Sequence, residues 1–377
     1  MVVKDIVKFL DEWAPPGAAW ERDNVGLQAG SLKAKVTNIM ISLDCTLPVL
    51  EEALKRKCSL VISHHPLIFS PLKKINTDSD EISRILSFAL KNDLTLLAYH
   101  TNLDFTLGGV NTALADLLEL KNTRFLEPSP DVKQFKLAVF VPDTALEKVS
   151  SALFSAGAGV IGEYSECSFS SQGTGTFFGS ENANPALGEK GRRESVSEQR
   201  LEVLLYEWQL KDAIIALKTA HPYEEPAYDI YPVKTNTKAY GFGIIGDLPA
   251  PAIHDAFLEM VAARINPFFT YTKGNKEFIS RVAVCGGSAS ELLPKAIAAG
   301  ADAFITADVR YHAFHDAGEK IMLISAGHYE TEAPVLPYIK KRIEGFTASQ
   351  ENEIQTFIYS GTTNPVNYFY KSTEYLH

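Results

Sequence analysis

The chain has 377 residues, with 36 Lys and Arg against 46 Asp and Glu, a net charge of −10. At roughly 150 residues per domain the length predicts two to three domains, and 46% hydrophobic with 22% charged residues excludes a disordered chain, a collagen and a coiled-coil rod. An acidic balance without a long Lys/Arg run argues against general nucleic-acid binding and against a membrane surface, but not against a small basic pocket for one phosphate.

In chain order, residues 1–13 read as an amphipathic helix with Val3, Ile6, Val7 and Leu10 on one face. This stretch has neither the apolar run nor the cleavage site of a signal peptide. No segment approaches the ~18 apolar residues of a membrane span. A β-α-β-α-β rhythm follows: strands at 36–43, 60–62 and 94–99, helices at 46–57, 79–92 and 109–118. Residues 127–130, Glu-Pro-Ser-Pro, predict a linker.

The texture then changes. A strand at 135–141 and a helix at 144–156 lead into 163–171 and 174–178, which alternate like two paired strands across Ser171-Gln172-Gly173. Residues 182–197 read as a mobile polar loop. A strand at 201–206, a helix at 210–220 and a strand at 227–233 complete the β-α-β-β-α-β order of a ferredoxin-like unit. The last third returns to the first rhythm, with strands at 281–285, 303–306, 321–325 and 357–359 and helices at 291–299, 312–317 and through Arg342. Cys45, Cys58, Cys167 and Cys285 are far apart and form no C-x-x-C pair, so they predict buried free thiols in a reducing compartment, with the cytoplasm as the expected location.

An open α/β sheet builds its site beyond the carboxyl ends of its strands. His64 and His65 follow 60–62, His100 and Asp104 follow 94–99, and His328 and Glu332 follow 321–325. Taken singly each motif reads as a polar loop, and adjacent histidines usually point apart. Three such strand ends together point to a metal. His328 and Glu332 are four positions apart, which puts both on one helical face. Imidazoles and carboxylates suit Zn²⁺, Mn²⁺, Fe²⁺ or Ni²⁺, and this many ligands would suit two ions bridged by a carboxylate and a water. Gly286-Gly287-Ser288 predicts a tight strand-to-helix turn with Ser288 as N-cap, or less favourably a phosphate cradle. His312 is expected to line the cleft, His315 to lie at the surface, and His254 and His377 to be solvated. Pro267, Phe268, Phe269 and Tyr271 read as core or subunit interface in preference to a base-stacking platform.

Ser63-His64-His65-Pro66, His100-Thr101-Asn102-Leu103-Asp104 and Gly327-His328-Tyr329-Glu330-Thr331-Glu332 resemble the three signature segments of the NIF-three-like family. Its members are often labelled GTP cyclohydrolase type 2 homologues. Trp20-Glu21-Arg22-Asp23-Asn24-Val25-Gly26-Leu27, Val284-Cys285-Gly286-Gly287-Ser288 and the segment from Thr306 to His312 resemble further family segments. The central insert is similar to the PII/CutA-like domain of the longer bacterial members, with His221-Pro222-Tyr223-Glu224-Glu225 as its signature. The resemblance implies an α/β core of two intertwined halves, 1–128 and 234–377, interrupted by an inserted domain at 129–233. It implies two divalent ions per chain held by His64, His65, Asp104, His328 and Glu332. His100 falls outside that set, as a residue orienting Asp104 or a bound group and as a candidate proton shuttle. The implied assembly is a homohexamer, a trimer of dimers with its metal sites facing an internal cavity. The implied activity is a metal-dependent hydrolysis that opens the imidazole ring of GTP with loss of formate. The alternative is a metal-handling or regulatory scaffold that binds a small effector or a protein partner.

Overall fold

A computed structural model describes residues 1–129, 132–234, 239–350 and 353–369. It divides into two compact units, Met1–Pro128 with Tyr240–His377, and Ser129–Ala239. Among the described residues no helix is long and apolar enough to cross a membrane.

The first unit holds two sheets. The first runs Gly26–Ala29, Thr95–Ala98, Leu60–Ser63, Ile39–Ser42, Thr356–Ile358. Its first pair is antiparallel and the others are parallel. The three central strands are buried along their whole length, as continuous apolar runs in a helix-covered parallel sheet should be. The helix Val3–Trp13 buries Val3, Ile6 and Leu10 against this sheet, while Val7 is only partly buried.

The second sheet runs Thr270–Tyr271, Met322–Ser325, Ala303–Ala307, Phe278–Ser288, Gly241–Ile253, Lys121–Pro128. The two halves of the core exchange strands. Lys121–Pro128, from the first half, edges the second sheet, and Thr356–Ile358, from the second half, edges the first. Residues 127–128, expected in a linker, are thus the end of a strand; Pro128 is tolerated there because an edge strand need not donate every N–H. The strand Gly241–Ile253 and the helix His254–Arg264 had no sequence counterpart, since glycine and proline interrupt the alternation that reveals a strand.

The second unit is an antiparallel sheet in the order Ser168–Phe178, Arg193–Tyr206, Gln134–Pro142, Tyr228–Val233. The helices Leu146–Ser155 and Leu210–Ala220 bury Val149, Leu153, Ala213 and Leu217 in one core with the strands. The chain order is β-α-β-β-α-β, and the spatial order is that of a ferredoxin-like unit. Its hairpin differs from expectation. Ser171-Gln172-Gly173 does not turn: Ser168–Phe178 is one strand paired residue by residue with Arg193–Tyr206. The last five residues of the polar 182–197 stretch, 193–197, are therefore strand, because an exposed strand needs no apolar residue on either face, and the rest is turn and irregular chain.

Candidate metal centre

Three strand ends of the first unit converge. Leu60–Ser63 is followed at once by His64 and His65, whose backbone N–H groups donate to Ser42 and Leu43 carbonyls at 3.2 and 2.9 Å. Both rings nevertheless reach the same centre, 5.0 Å apart and tilted by 47°. His100 ends Thr95–Ala98, with its ring 5.3 Å from His64 and 5.5 Å from His65. Asp104 closes the short helix Thr101–Asp104 that follows. After Met322–Ser325 the chain turns at Gly327, whose φ of +92° suits glycine alone; a Cβ there would collide with the Glu330 carboxylate. That turn starts the helix His328–Glu332, in which His328 Nε2 and Glu332 Oε1 lie 3.1 Å apart. His64, His65 and His100 form one group able to hold a metal ion, and His65, His328 and Glu332 form another, with donor atoms inside each group within 4.8 Å.

Each imidazole is fixed through Nδ1, which leaves Nε2 for the centre. His64 donates Nδ1–H to the Tyr99 carbonyl at 2.8 Å. His65 Nδ1 pairs with Asp44 at 2.8 Å, His100 Nδ1 with Asp23 at 3.0 Å, and His328 Nδ1 with Asp308 at 2.6 Å. Carboxylate or carbonyl partners of this kind orient metal-ligating histidines and set their tautomer. Asp308 holds its place at a φ of +50°, an uncommon conformation for a non-glycine residue, and also accepts from Ser288 Oγ. His100 is oriented by Asp23 and not by Asp104.

Glu332 is the hub. It is 4% exposed, and its Oε2 lies 3.0 Å from His65 Nε2 while Oε1 faces His328. Burial alone would raise its pKa, but the hydrogen bonds to His328 and His65 hold it well below the usual carboxylate range. Asp104 moves the other way, raised by burial and by the Glu332 charge. Burial pulls the fully enclosed His64 down to about 3, so it is a neutral imidazole. Burial also opposes the charge on His65, yet the contacts to Asp44 and Glu332 outweigh it and raise the ring to about 10. The Glu332 hydrogen bond raises His328 to about 9.

The residues fit a metal. His64 Nε2 and Asp104 Oδ1 are buried, lie 3.5 Å from each other and make no hydrogen bond. An uncharged imidazole lone pair and a carboxylate oxygen facing one point without partners are costly unless a cation completes them.

Other expectations fare differently. Gly286 and Gly287 belong to the strand Phe278–Ser288, and the cap of the following turn is Ala289. Their N–H groups donate to Asn111 and Thr331 at 2.9 and 3.1 Å, so they are not free to cradle a phosphate. A side chain on Gly287 would strike Glu332, and that is what these glycines are for. His312 is exposed and packs edge-on against Tyr311, away from the cleft; His315 is exposed as expected. His254 is largely buried against Tyr271, and His377 lies outside the described residues. Phe268 and Tyr271 are exposed and do not belong to the core. Cys45, Cys58 and Cys285 are buried, whereas Cys167 is half-buried. Asp23, Asp44 and Asp308 were not recognised from the sequence as site residues. The available signal was position, since Asp44 and Asp308 each follow a buried strand, as the candidate ligands do.

The fold and the cluster define an α/β protein whose strand ends carry histidine and carboxylate groups that could hold a metal ion. The family model described as Duf34/NIF3 (NGG1p interacting factor 3) matches residues 1–365, and the chain belongs to that family. It is 37% identical to the GTP cyclohydrolase 1 type 2 homolog of Halalkalibacterium halodurans, over 96% of this chain and 98% of that protein. The Bacillus subtilis protein of the same description is 36% identical over 97% and 98%. Among solved structures, a Bacillus cereus protein related to NIF3 superposes with a TM-score of 0.83 at 35% identity, covering 98% of this chain and 99% of that one. Staphylococcus aureus protein SA1388 superposes with a TM-score of 0.75 at 27% identity over the same shares.

Proposed function

We propose that the cluster is a dinuclear centre and that the protein is a metal-dependent hydrolase. The observation that carries this reading is the posture of Glu332, whose two carboxylate oxygens each face a different imidazole, His65 and His328. A carboxylate so placed offers one oxygen to each of two ions. In this reading His64, His65, Asp104 and His328 would hold the two ions, with the facing pair His64 and Asp104 at the same one, and Glu332 would serve both. When bound, two divalent ions supply Lewis acidity and lower the pKa of a water held between them. The chain's own residues do the rest. Asp44, Asp308 and the Tyr99 carbonyl keep the imidazoles aimed at the centre. His100, outside the ligand set and anchored by Asp23, lines a 150 Å³ recess beside Asp104 and Glu332, where it can carry a proton between substrate and solvent.

The relatives' description as GTP cyclohydrolase 1 type 2 homologs supports hydrolytic opening of a cyclic substrate as the reaction class. The central unit is proposed to be a PII/CutA-like module, and the whole to assemble as a homohexamer in the cytoplasm. The test is a turnover screen on metal-reconstituted protein across nucleotides, phosphoesters and cyclic amidines. Metal-stimulated turnover supports the hydrolase. Tight metal binding without turnover on any class favours a metal-handling or regulatory scaffold instead.

A further inference from the structure

A cavity of about 700 Å³ opens directly beside His65 and His328. Its carboxylates are Asp44, Asp308 and Glu330, the first two paired with the His65 and His328 rings that also line it, and no lysine or arginine lines it among the described residues. The smaller recess on the other side of the cluster has none either. The nearest glycine-rich backbone, Gly286-Gly287, has its N–H groups committed to Asn111 and Thr331. A triphosphate entering this cavity would meet three carboxylates, two of them already paired with the His65 and His328 rings, while Glu330 has no cation paired to it among the described residues, with Coulomb repulsion at short range.

The other wall is aromatic and built. Phe268 and Tyr368 stack with centroids 4.8 Å apart and planes 26° from parallel, and both line the cavity. Asn266, which is buried, donates to the Ala326 carbonyl at 2.9 Å and lies 3.2 Å from the Tyr368 hydroxyl, fixing the ring. The segment carrying Tyr368 is tied down on both sides of the cavity: Thr363 donates to Asp44, and Asn364 donates to Glu330 at 2.9 Å. Carboxylates that accept from ring N–H or amino groups, facing an aromatic wall, recognise a planar nitrogen heterocycle by stacking and hydrogen bonding.

We infer that this cavity takes a planar nitrogen heterocycle of base or nucleoside size, uncharged or cationic, and discriminates against a nucleoside triphosphate. The inference rests on the hydrolase reading for the role of the cavity but is tested by binding alone. Full-length protein, metal-free and zinc-loaded to the same measured content, is titrated calorimetrically with guanosine and with GTP. Guanosine should bind both forms, and GTP should bind the metal-free form at least tenfold more weakly. Phe268→Ala and Tyr368→Ala should each weaken guanosine about tenfold, Tyr368→Phe should retain it, and Glu330→Gln should narrow the gap to GTP several-fold. GTP binding the metal-free protein as tightly as guanosine, or guanosine binding that is absent or indifferent to both alanine variants, overturns the inference. If GTP binds tightly and is turned over, the hydrolase survives and the cavity assignment falls; if guanosine binds as described and nothing is turned over, the reverse holds.

Discussion

The metal-free cluster should hold protons that a metal must displace. His65 sits between Asp44 and Glu332, and His328 between Asp308 and Glu332. Despite burial these contacts raise His65 to about 10, and they raise His328 to about 9, so both rings are protonated at pH 7. A divalent ion needs each ring's lone pair, and loading therefore releases both protons. His64, held neutral by burial, releases none. Asp104, raised by burial and by Glu332, adds a further fraction. Each released proton makes apparent affinity rise tenfold per pH unit while the pH stays below that group's pKa, so two give about 100-fold between pH 7 and pH 8. Calorimetric titration with zinc in two buffers of different ionisation enthalpy counts the protons directly. The expected release is about two per loaded chain. A buffer-independent heat with an affinity flat across that range would mean neutral rings in the free site, and the electrostatic account of the cluster would be wrong.

Asp308→Ala frees His328 Nδ1 while leaving the Nε2 side intact, so zinc affinity measured by chelator competition should fall about 10- to 100-fold without a change in fold. Asp11 is raised to about 6 by burial, against the hydrogen bond from Tyr99 at 2.8 Å, so its native pKa exceeds the unfolded value. Its ionisation therefore costs stability in full above about pH 6, and the cost is relieved as pH falls from there towards 4. Asp11→Asn keeps the acceptor, and denaturant melts should show it more stable by about 1–2 kcal/mol at pH 7.5 after allowance for solvent screening, with the pH 4–6 dependence flattened. Gly241 pairs directly opposite Pro128, so replacing 129–239 with a short turn should leave a cooperatively folded core that still binds zinc; a chain unfolded by circular dichroism would show that the core needs the insert.

The candidate ligands are legible because they sit where strand runs stop. His64-His65 after Leu60–Ser63 and His328 after Met322–Ser325 are marked by an apolar run that ends in polar, metal-ligating residues. The carboxylates behind them were not, because pairing is a matter of topology. Asp44 lies 21 residues from His65 and Asp23 lies 77 from His100, and only the parallel register of the first sheet brings the first pair together. The place of Phe268 is hidden for a related reason. An aromatic cluster suggests burial, but its partner Tyr368 arrives from 100 residues downstream, and together they wall a cavity. In the second unit Gly173 looked like a turn, yet it sits mid-strand opposite Glu198, and the real reversal lies beyond Phe178.

The central claim, that Glu332 joins two metal ions, is tested most directly by the metal content of purified protein. Mass-spectrometric metal analysis of wild type should approach two divalent ions per chain. Glu332→Gln keeps the shape but removes the charge that faces both His65 and His328, and should lose at least one ion, whereas the exposed His315→Gln should lose neither. Equal metal content in all three proteins, or no more than one ion in wild type after reconstitution, would contradict the account.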